Sequence, residues 1–398
     1  MRSDRLRVRR LAAALAMIQL AVLILLAIPE VARPIPTFAR KESVSCSVCH
    51  VAWPMLNETG RSFQENGYRF SEGYKEPDVI SQHLRLEEIL PVSTVLISRP
   101  FDKVESQDET MQAIQEVSLL IAGTTHEVVS CFAELAAEDE TDFEPEIEMA
   151  AVGYHPSGYF NVRLAYSNLT QADPHDVYAS HRRLTVSEYS VTDSPFGGVD
   201  AASGLGAPRQ TLSIYGRPAR SVFCDVGASA AAEDAEGERP RTFHGRVAVD
   251  LPSGITVGAL GVGGRWEGDE GDSEYSRLGI DAQIDAASFR VMGAYVLATD
   301  DAAAGGEARA SGEETNSAFY VQALYALRQE SRPVLVPLIR YDGYEMNDGE
   351  EQYGDVTLHV SYYAIQNVKL SAEYWGGVTV PEGVDESSRV TRQLVAAF

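Results

Sequence analysis

From Arg85 onward, apolar and polar residues alternate along the chain with a period of two. In YSRLGIDAQIDA, Leu278, Ile280, Ala282 and Ile284 alternate with Arg277, Gly279, Asp281, Gln283 and Asp285. GDVTLHVSYYA places Val356, Leu358, Val360 and Tyr362 on one face and Asp355, Thr357, His359 and Ser361 on the other. In NVKLSAEYW, Val368, Leu370, Ala372 and Tyr374 oppose Lys369, Ser371 and Glu373, and FRVMGAYVL opposes Phe289, Val291, Tyr295 and Leu297 to Arg290. Successive side chains of a strand point to opposite sides, so these segments are strands with one apolar and one charged face. Two architectures use such strands. A soluble sandwich buries the apolar faces against each other. A transmembrane barrel shows them to lipid and turns the charges inward.

Connection lengths choose between the two. Short connections fall at 123–125, 155–158, 216–219, 252–254, 285–287, 328–332 and 364–366. Between them lie acidic stretches, among them AEDETDFEP, AAAEDAEGERP, GRWEGDEGDSE, TDDAAAGGEARASGEETN, EMNDGEEQ and VPEGVDESS. Short and long alternate, which a barrel with short turns at one end and long loops at the other requires and a Greek-key sandwich does not. Taking Arg182 to Ser190 as a strand gives 17 strands and breaks the alternation; treating 168–208 as one long external or lumen-entering loop restores it. The expected fold is therefore mainly β: a 16-stranded antiparallel transmembrane β-barrel over 85–398, preceded by a short α-helical segment over 40–84. An even strand number puts both barrel ends on one side, the periplasm. A barrel of this size encloses an aqueous channel. Its lumen face would include Arg163, Asp225, Arg246, Asp281, Arg290, His359, Lys369 and Glu373, each read as a solvated charge rather than a ligand. Cys131 and Cys224 fall among apolar positions that would face lipid.

The first residues change pattern. Arg2, Arg5, Arg7, Arg9 and Arg10 precede Leu11 to Ile28, which is apolar except for Gln19, and Thr37-Phe38-Ala39 offers a small-x-small cleavage site. This is a signal peptide over 1–39, so the rest is exported. An uncleaved anchor is the competing reading. The formal charge of −25 excludes a nucleic-acid-binding protein, which needs a basic face. A mean hydropathy of −0.15 is compatible with a barrel, because only every second strand residue meets lipid.

Just behind the signal lies Cys46-Ser-Val-Cys49-His50, in a chain with only four cysteines. A zinc site needs four ligands, and only His50 and His83 are near. A redox dithiol of the thioredoxin type needs a βαβ setting that is absent from the pattern. Cys-x-x-Cys-His is the attachment pattern of one covalent haem c, with two thioethers and an axial histidine. Cys46, Cys49 and His50 are thus the expected cofactor-binding residues, with His50 the proximal iron ligand. For the distal position His83 is the expectation, ahead of Met55 and Met111. Trp53, Leu56, Gly60 and Phe63 share one face at helical spacing, Pro54 suits a first turn, and Asn66-Gly67 suits a stop. From Arg40 to Leu84 there are 45 residues, too few to shelter a haem alone. The remainder of the pocket is expected from the barrel.

The stretch FARKESVSCSVCHVAWPMLNETGRSFQENGYRF, residues 38–70, resembles the monohaem N-terminus of the fused outer-membrane cytochrome–porins of iron(II)-oxidising bacteria and their relatives. The matching features are the Cys-x-x-Cys-His, a Leu-Asn, a Gly-Arg-x-Phe and an Asn-Gly-Tyr in that order. The end RQLVAAF, with terminal Phe398, is similar to the aromatic ends of outer-membrane barrels generally. The resemblance implies thioethers at Cys46 and Cys49, the proximal ligand at His50, and a haem at or in the barrel mouth. It implies an electron conduit in the outer membrane between an extracellular donor or acceptor, such as Fe(II), and a periplasmic cytochrome or other carrier. An iron(II):cytochrome oxidoreductase activity belongs to some members. The alternative is a porin or transporter with a structural or sensory haem.

Overall fold

The computed structural model describes residues 37–70, 78–81, 84–86, 92–105, 107–126, 128–179, 181–193, 204–230, 242–268, 271–301 and 313–398. The signal segment upstream of Thr37 and His83 lie outside the described residues.

Three short helices open the described chain: α1 (Thr37–Glu42), α2 (Cys46–Cys49) and α3 (Glu58–Glu65). Between the last two, β1 (His50–Ala52) and β2 (Met55–Leu56) form a minimal hairpin. A second hairpin, β3 (Asp78–Ser81) with β4 (Leu84–Leu86), follows. The barrel begins at β5 (Val92–Val104) and continues through β6 (Thr110–His126), β7 (Val129–Glu138), β8 (Pro145–Tyr154) and β9 (Asn161–Ser167). Next come β10 (Arg209–Ala219), β11 (Val222–Ser229), β12 (Thr242–Leu251), β13 (Ile255–Gly268) and β14 (Gly271–Ala286). It finishes with β15 (Phe289–Asp301), β16 (Glu313–Tyr325), β17 (Leu327–Gln329), β18 (Arg332–Met346), β19 (Glu351–Ile365), β20 (Val368–Thr379) and β21 (Ser388–Ala397). Since β17 continues β16 along β18, the wall has sixteen strands, all antiparallel, and β21 closes it on β5. Thr94 and Phe398 seal the seam with reciprocal backbone hydrogen bonds of 2.7 and 2.9 Å.

The alternation sorts the side chains as expected. Leu278 and Ile280, 62% and 65% exposed, point outward, while Arg277 and Asp281 on either side of the pair point in and are buried. Leu164, Ile214, Val226, Phe243, Ile339 and Leu358 extend this apolar outer face, as a lipid-facing wall requires. Cys131 and Cys224 lie on outward positions between inward Ser130 and Phe132, and between buried Phe223 and Asp225. One end carries tight turns such as 220–221, 287–288, 330–331 and 366–367. At the other end two expected acidic loops are taken up largely by strand. β13 and β14 pair through to Gly268↔Gly271, and β18 and β19 to Met346↔Glu351. The wall at that end therefore extends through segments expected to be loop.

The lumen departs most from expectation. It holds a packed core instead of an open channel. The described parts of the connection between β9 and β10, residues 168–179, 181–193 and 204–208, fold inward. Leu169, Val177, Tyr178, Leu184, Tyr189, Val191 and Leu205 from this loop pack on Leu260, Val262, Met292, Val296, Tyr320 and Leu338 of the wall, with Ala52 and Met55. Tyr189 stacks on Tyr320 at 4.4 Å, and the Tyr320 hydroxyl donates to Val177 O at 2.7 Å.

The lumen charges are therefore not solvated. Arg246 binds Asp173 at 2.9 Å and Asp281 at 2.6 Å, and Arg290 binds Asp176 at 2.6 Å. Glu373 accepts from the backbone N–H groups of Val186 and Ser187 and from His359. Arg163 donates to Gln171 O. Lys369 lies over the Trp53 ring, and Asp225 faces His244 at 3.6 Å. Burial without partners would be costly for such groups, so the inward loop and the wall charges require each other.

Candidate functional site

The Cys-x-x-Cys-His segment is assembled by local hydrogen bonds. Cys46 to Cys49 make a single helical turn, whose Cys46 N–H reaches Gln366 Oε1 in the β19–β20 turn at 2.8 Å. The chain then reverses through Trp53 and Pro54, so that His50 pairs with Leu56. This reversal sets the Pro54 carbonyl 2.9 Å from His50 Nδ1. The helix expected from Trp53 onward starts later, at the Asn57 cap, because 50–56 is used by the hairpin. Asn57 Oδ1 accepts from Gly60 N at 3.0 Å, and Asn57 N donates to Cys49 O at 2.9 Å. One side chain and its backbone thus tie the helix start to the motif. A Cβ on Gly60 would come within 2.1 Å of Cys49 O, so only glycine lets α3 approach this closely. The helix ends as expected at Asn66 and Gly67, the latter at φ +71°.

The segment is a plug tied around the inner wall at the short-turn end. Thr37 pairs with Ser93, Arg40 donates to Val92 O, Arg61 meets Asp285 and Glu65 clasps Arg217. Tyr363 donates to Trp53 O, Arg328 to Val51 O and Arg290 to Leu56 O. Phe38 stacks on Tyr68 at 5.0 Å and meets Phe63 edge-on, while Tyr68 stacks on Phe132 of the wall. Thr37 and Phe38 belong to this packing although they precede the expected cleavage after Ala39.

Plug, loop and wall line a cavity of about 660 Å³. Cys46, Cys49 and His50 all line it. So do the apolar side chains of Phe38, Phe63, Phe70, Val95, Leu120 and Phe132. The cavity extends up β5 to Arg99 and along the inner faces of β6–β8, past Glu116, Glu134, Glu138 and Glu148. Loop residues 181–186 complete the lining, with Lys369 of β20. Burial pushes the Cys46 thiol up, and burial with the neighbouring Cys46 and Glu42 pushes Cys49 up to about 11, so both are neutral thiols. Burial holds His50 below the usual imidazole value, against the Pro54 carbonyl and the Asp176 charge, so its ring is neutral.

These residues fit the haem group the motif implies. Two unpaired thiols and an imidazole face one cavity of suitable size, walled by aromatics. His50 has Nδ1 committed to a carbonyl, the tautomer lock usual for a metal-binding histidine, which reserves Nε2 for the metal. Arg183 and Lys369 add cationic side chains suited to propionates. Among the described residues, no three His, Cys, Asp or Glu side chains are arranged to hold a bare metal ion.

The weaker distal expectations fare differently. Met55 is fully buried in the lumen core and Met111 is 74% exposed near the far end of β6, so neither borders the cavity. The sequence reading missed His181, which does border it. The one available signal was its position in the 168–208 stretch, read from the sequence as an external or lumen-entering loop, with two arginines following it.

The wall and its inward loop define a porin-like class of β-barrel. The chain is similar in structure to the anion-selective porin from Comamonas acidovorans, with 12% identity, TM-score 0.58, and 77% of this chain and 98% of that one covered. It is similar to a loop-deletion mutant of OmpT, an outer membrane protein of Vibrio cholerae, with 14% identity, TM-score 0.55 and the same coverage. It is also similar to the outer membrane channel DcaP of Acinetobacter baumannii, with 10% identity, TM-score 0.56, and 77% and 96% covered. No protein-family model and no curated protein matches the sequence. At these identities the likeness is one of fold.

Proposed function

We propose that the chain is an outer-membrane barrel that carries one covalent haem c on its lumen plug and passes electrons across the membrane. Cys46 and Cys49 hold the group as thioethers, each S–H adding across a vinyl double bond, and His50 supplies the proximal nitrogen. When bound, haem takes and returns one electron at a time, which suits exchange between an external donor or acceptor such as Fe(II) and a periplasmic carrier such as a cytochrome. The observation that carries this reading is the convergence of all three motif side chains on one cavity inside the barrel, with His50 Nδ1 already bound by Pro54.

The chain's own residues orient and shelter. Pro54 fixes the imidazole, the plug limits water at the short-turn end, and Arg183 and Lys369 offer counter-charge. In this reading the short turns and both barrel ends face the periplasm, where haem is attached. A porin with a structural or sensory haem is the second reading, favoured by the likeness of the wall to porins. The filled lumen favours the first, because a packed plug obstructs solute flow but not electron transfer.

Purified protein run on a denaturing gel is expected to retain haem stain, and Cys46→Ala and Cys49→Ala to lose most of it. Unstained wild-type protein overturns the haem reading. A stained protein in vesicles that no impermeant external donor or acceptor can reduce or oxidise leaves the porin reading instead.

A further inference from the structure

His181 stands on the cavity that Cys46, Cys49 and His50 line, and it comes from a different part of the chain, the inward loop. Its side chain keeps an open face although it lies deep in the barrel. The described histidine and methionine side chains on this cavity are His50, His181 and Met149. Met149 is 6% exposed and sits on the wall strand β8.

The backbone that presents His181 is firmly held. Its neighbour Arg182 donates to Asp176 at 3.0 Å, to Gln64 Oε1 on α3 at 3.1 Å, and to the Asp173 and His175 carbonyls at 3.1 Å each. Gln64 in turn donates to Gln171 O at 3.2 Å. The loop is therefore locked to the same helix that buttresses the cysteine turn. Arg182 also links the two histidines in space. It lines the same cavity as His50, and its Nη1 lies 3.2 Å from His181 Nε2. A ring nitrogen that accepts from a guanidinium is unprotonated, which is the form that binds a metal. Exchanging that one contact for a metal costs Arg182 little, since its four other bonds remain.

Resting on the haem reading above, we propose that His181 is the second axial ligand of the group attached at Cys46, Cys49 and His50. The plug would supply one face of the site and the inward loop the other. Docking of the loop and ligation of the iron would then be one event.

The test is spectroscopic, on full-length protein in detergent. Covalent haem content is measured first by the pyridine haemochrome; a wild type without it defeats the haem reading itself. Given haem, the wild type is expected to be six-coordinate and low-spin, with the electron paramagnetic resonance of two imidazoles. His181→Ala should turn mainly high-spin while keeping its haem stain, and added imidazole should restore the low-spin form. His181→Met should remain low-spin, gain a methionine–iron band and shift to higher potential. His83→Ala should leave the spectrum unchanged. A low-spin His181→Ala protein without imidazole, a high-spin wild type, or loss of the low-spin state in His83→Ala overturns the assignment.

Discussion

Arg290 donates in three directions from inside the barrel: to Asp285 on the neighbouring strand, to Asp176 in the inward loop and to the Leu56 carbonyl in the plug. In the sequence it is one charged position in an alternating strand. In the fold it joins three separate parts of the chain. Replacing it by methionine would leave Asp176 buried with Arg182 and the Leu56 N–H but without its wall partner. A loss of about 3 kcal/mol is expected, because a buried charge that loses its partner is costly. Limited proteolysis within 168–208 measures it, and unchanged resistance would mean that Arg290 does not hold the loop. The motif itself was legible residue by residue, since Cys46, Cys49 and His50 need only their spacing. His181 was legible only as a member of the long 168–208 connection, because an isolated histidine has no spacing that singles it out. Its placement depends on Arg182, Asp176 and Gln64.

At the scale of elements, the loop over 168–208 is fastened by groups that titrate. Burial alone would raise Asp173, but the charges of Arg246 and His175 hold it below the usual carboxylate range. Burial alone would lower His175, but Asp173 and Asp250 raise it above its ordinary value. The Asp173 contribution to docking is present above its undocked pKa of about 3.9 and is lost as pH falls through the depressed docked value. The His175 contribution is present below about 6.5 and is lost as pH rises through the raised docked value. Amide-exchange protection of the loop is therefore expected to peak between these limits. Asp173→Asn should flatten both limbs, since it removes the carboxylate and its pull on His175; an unaltered profile would count against this fastening. The helix over Glu58–Glu65 teaches a related lesson. Apolar spacing from Trp53 suggested a longer helix, but the hairpin that brings Pro54 to His50 uses those residues first.

For the whole molecule, the consequence is a barrel with little open bore. In planar bilayers the full-length protein is expected to conduct several-fold less than a variant in which residues 170–206 are replaced by a short linker. Equal conductance would mean that the loop does not obstruct the pore. The sequence determined the wall: a period of two, turns at alternating lengths and an even strand count follow from the pleat of a strand between lipid and lumen. It also supplied the motif on which the haem proposal rests, because that pattern resides in adjacent residues. What it left open was the use of the lumen. An inward arginine or aspartate has the same pattern whether it meets water or a partner more than a hundred positions away, as Arg290 meets Asp176. Only the tertiary structure decides between solvation and pairing, because burial, and with it the need for a partner, is a property of the closed barrel.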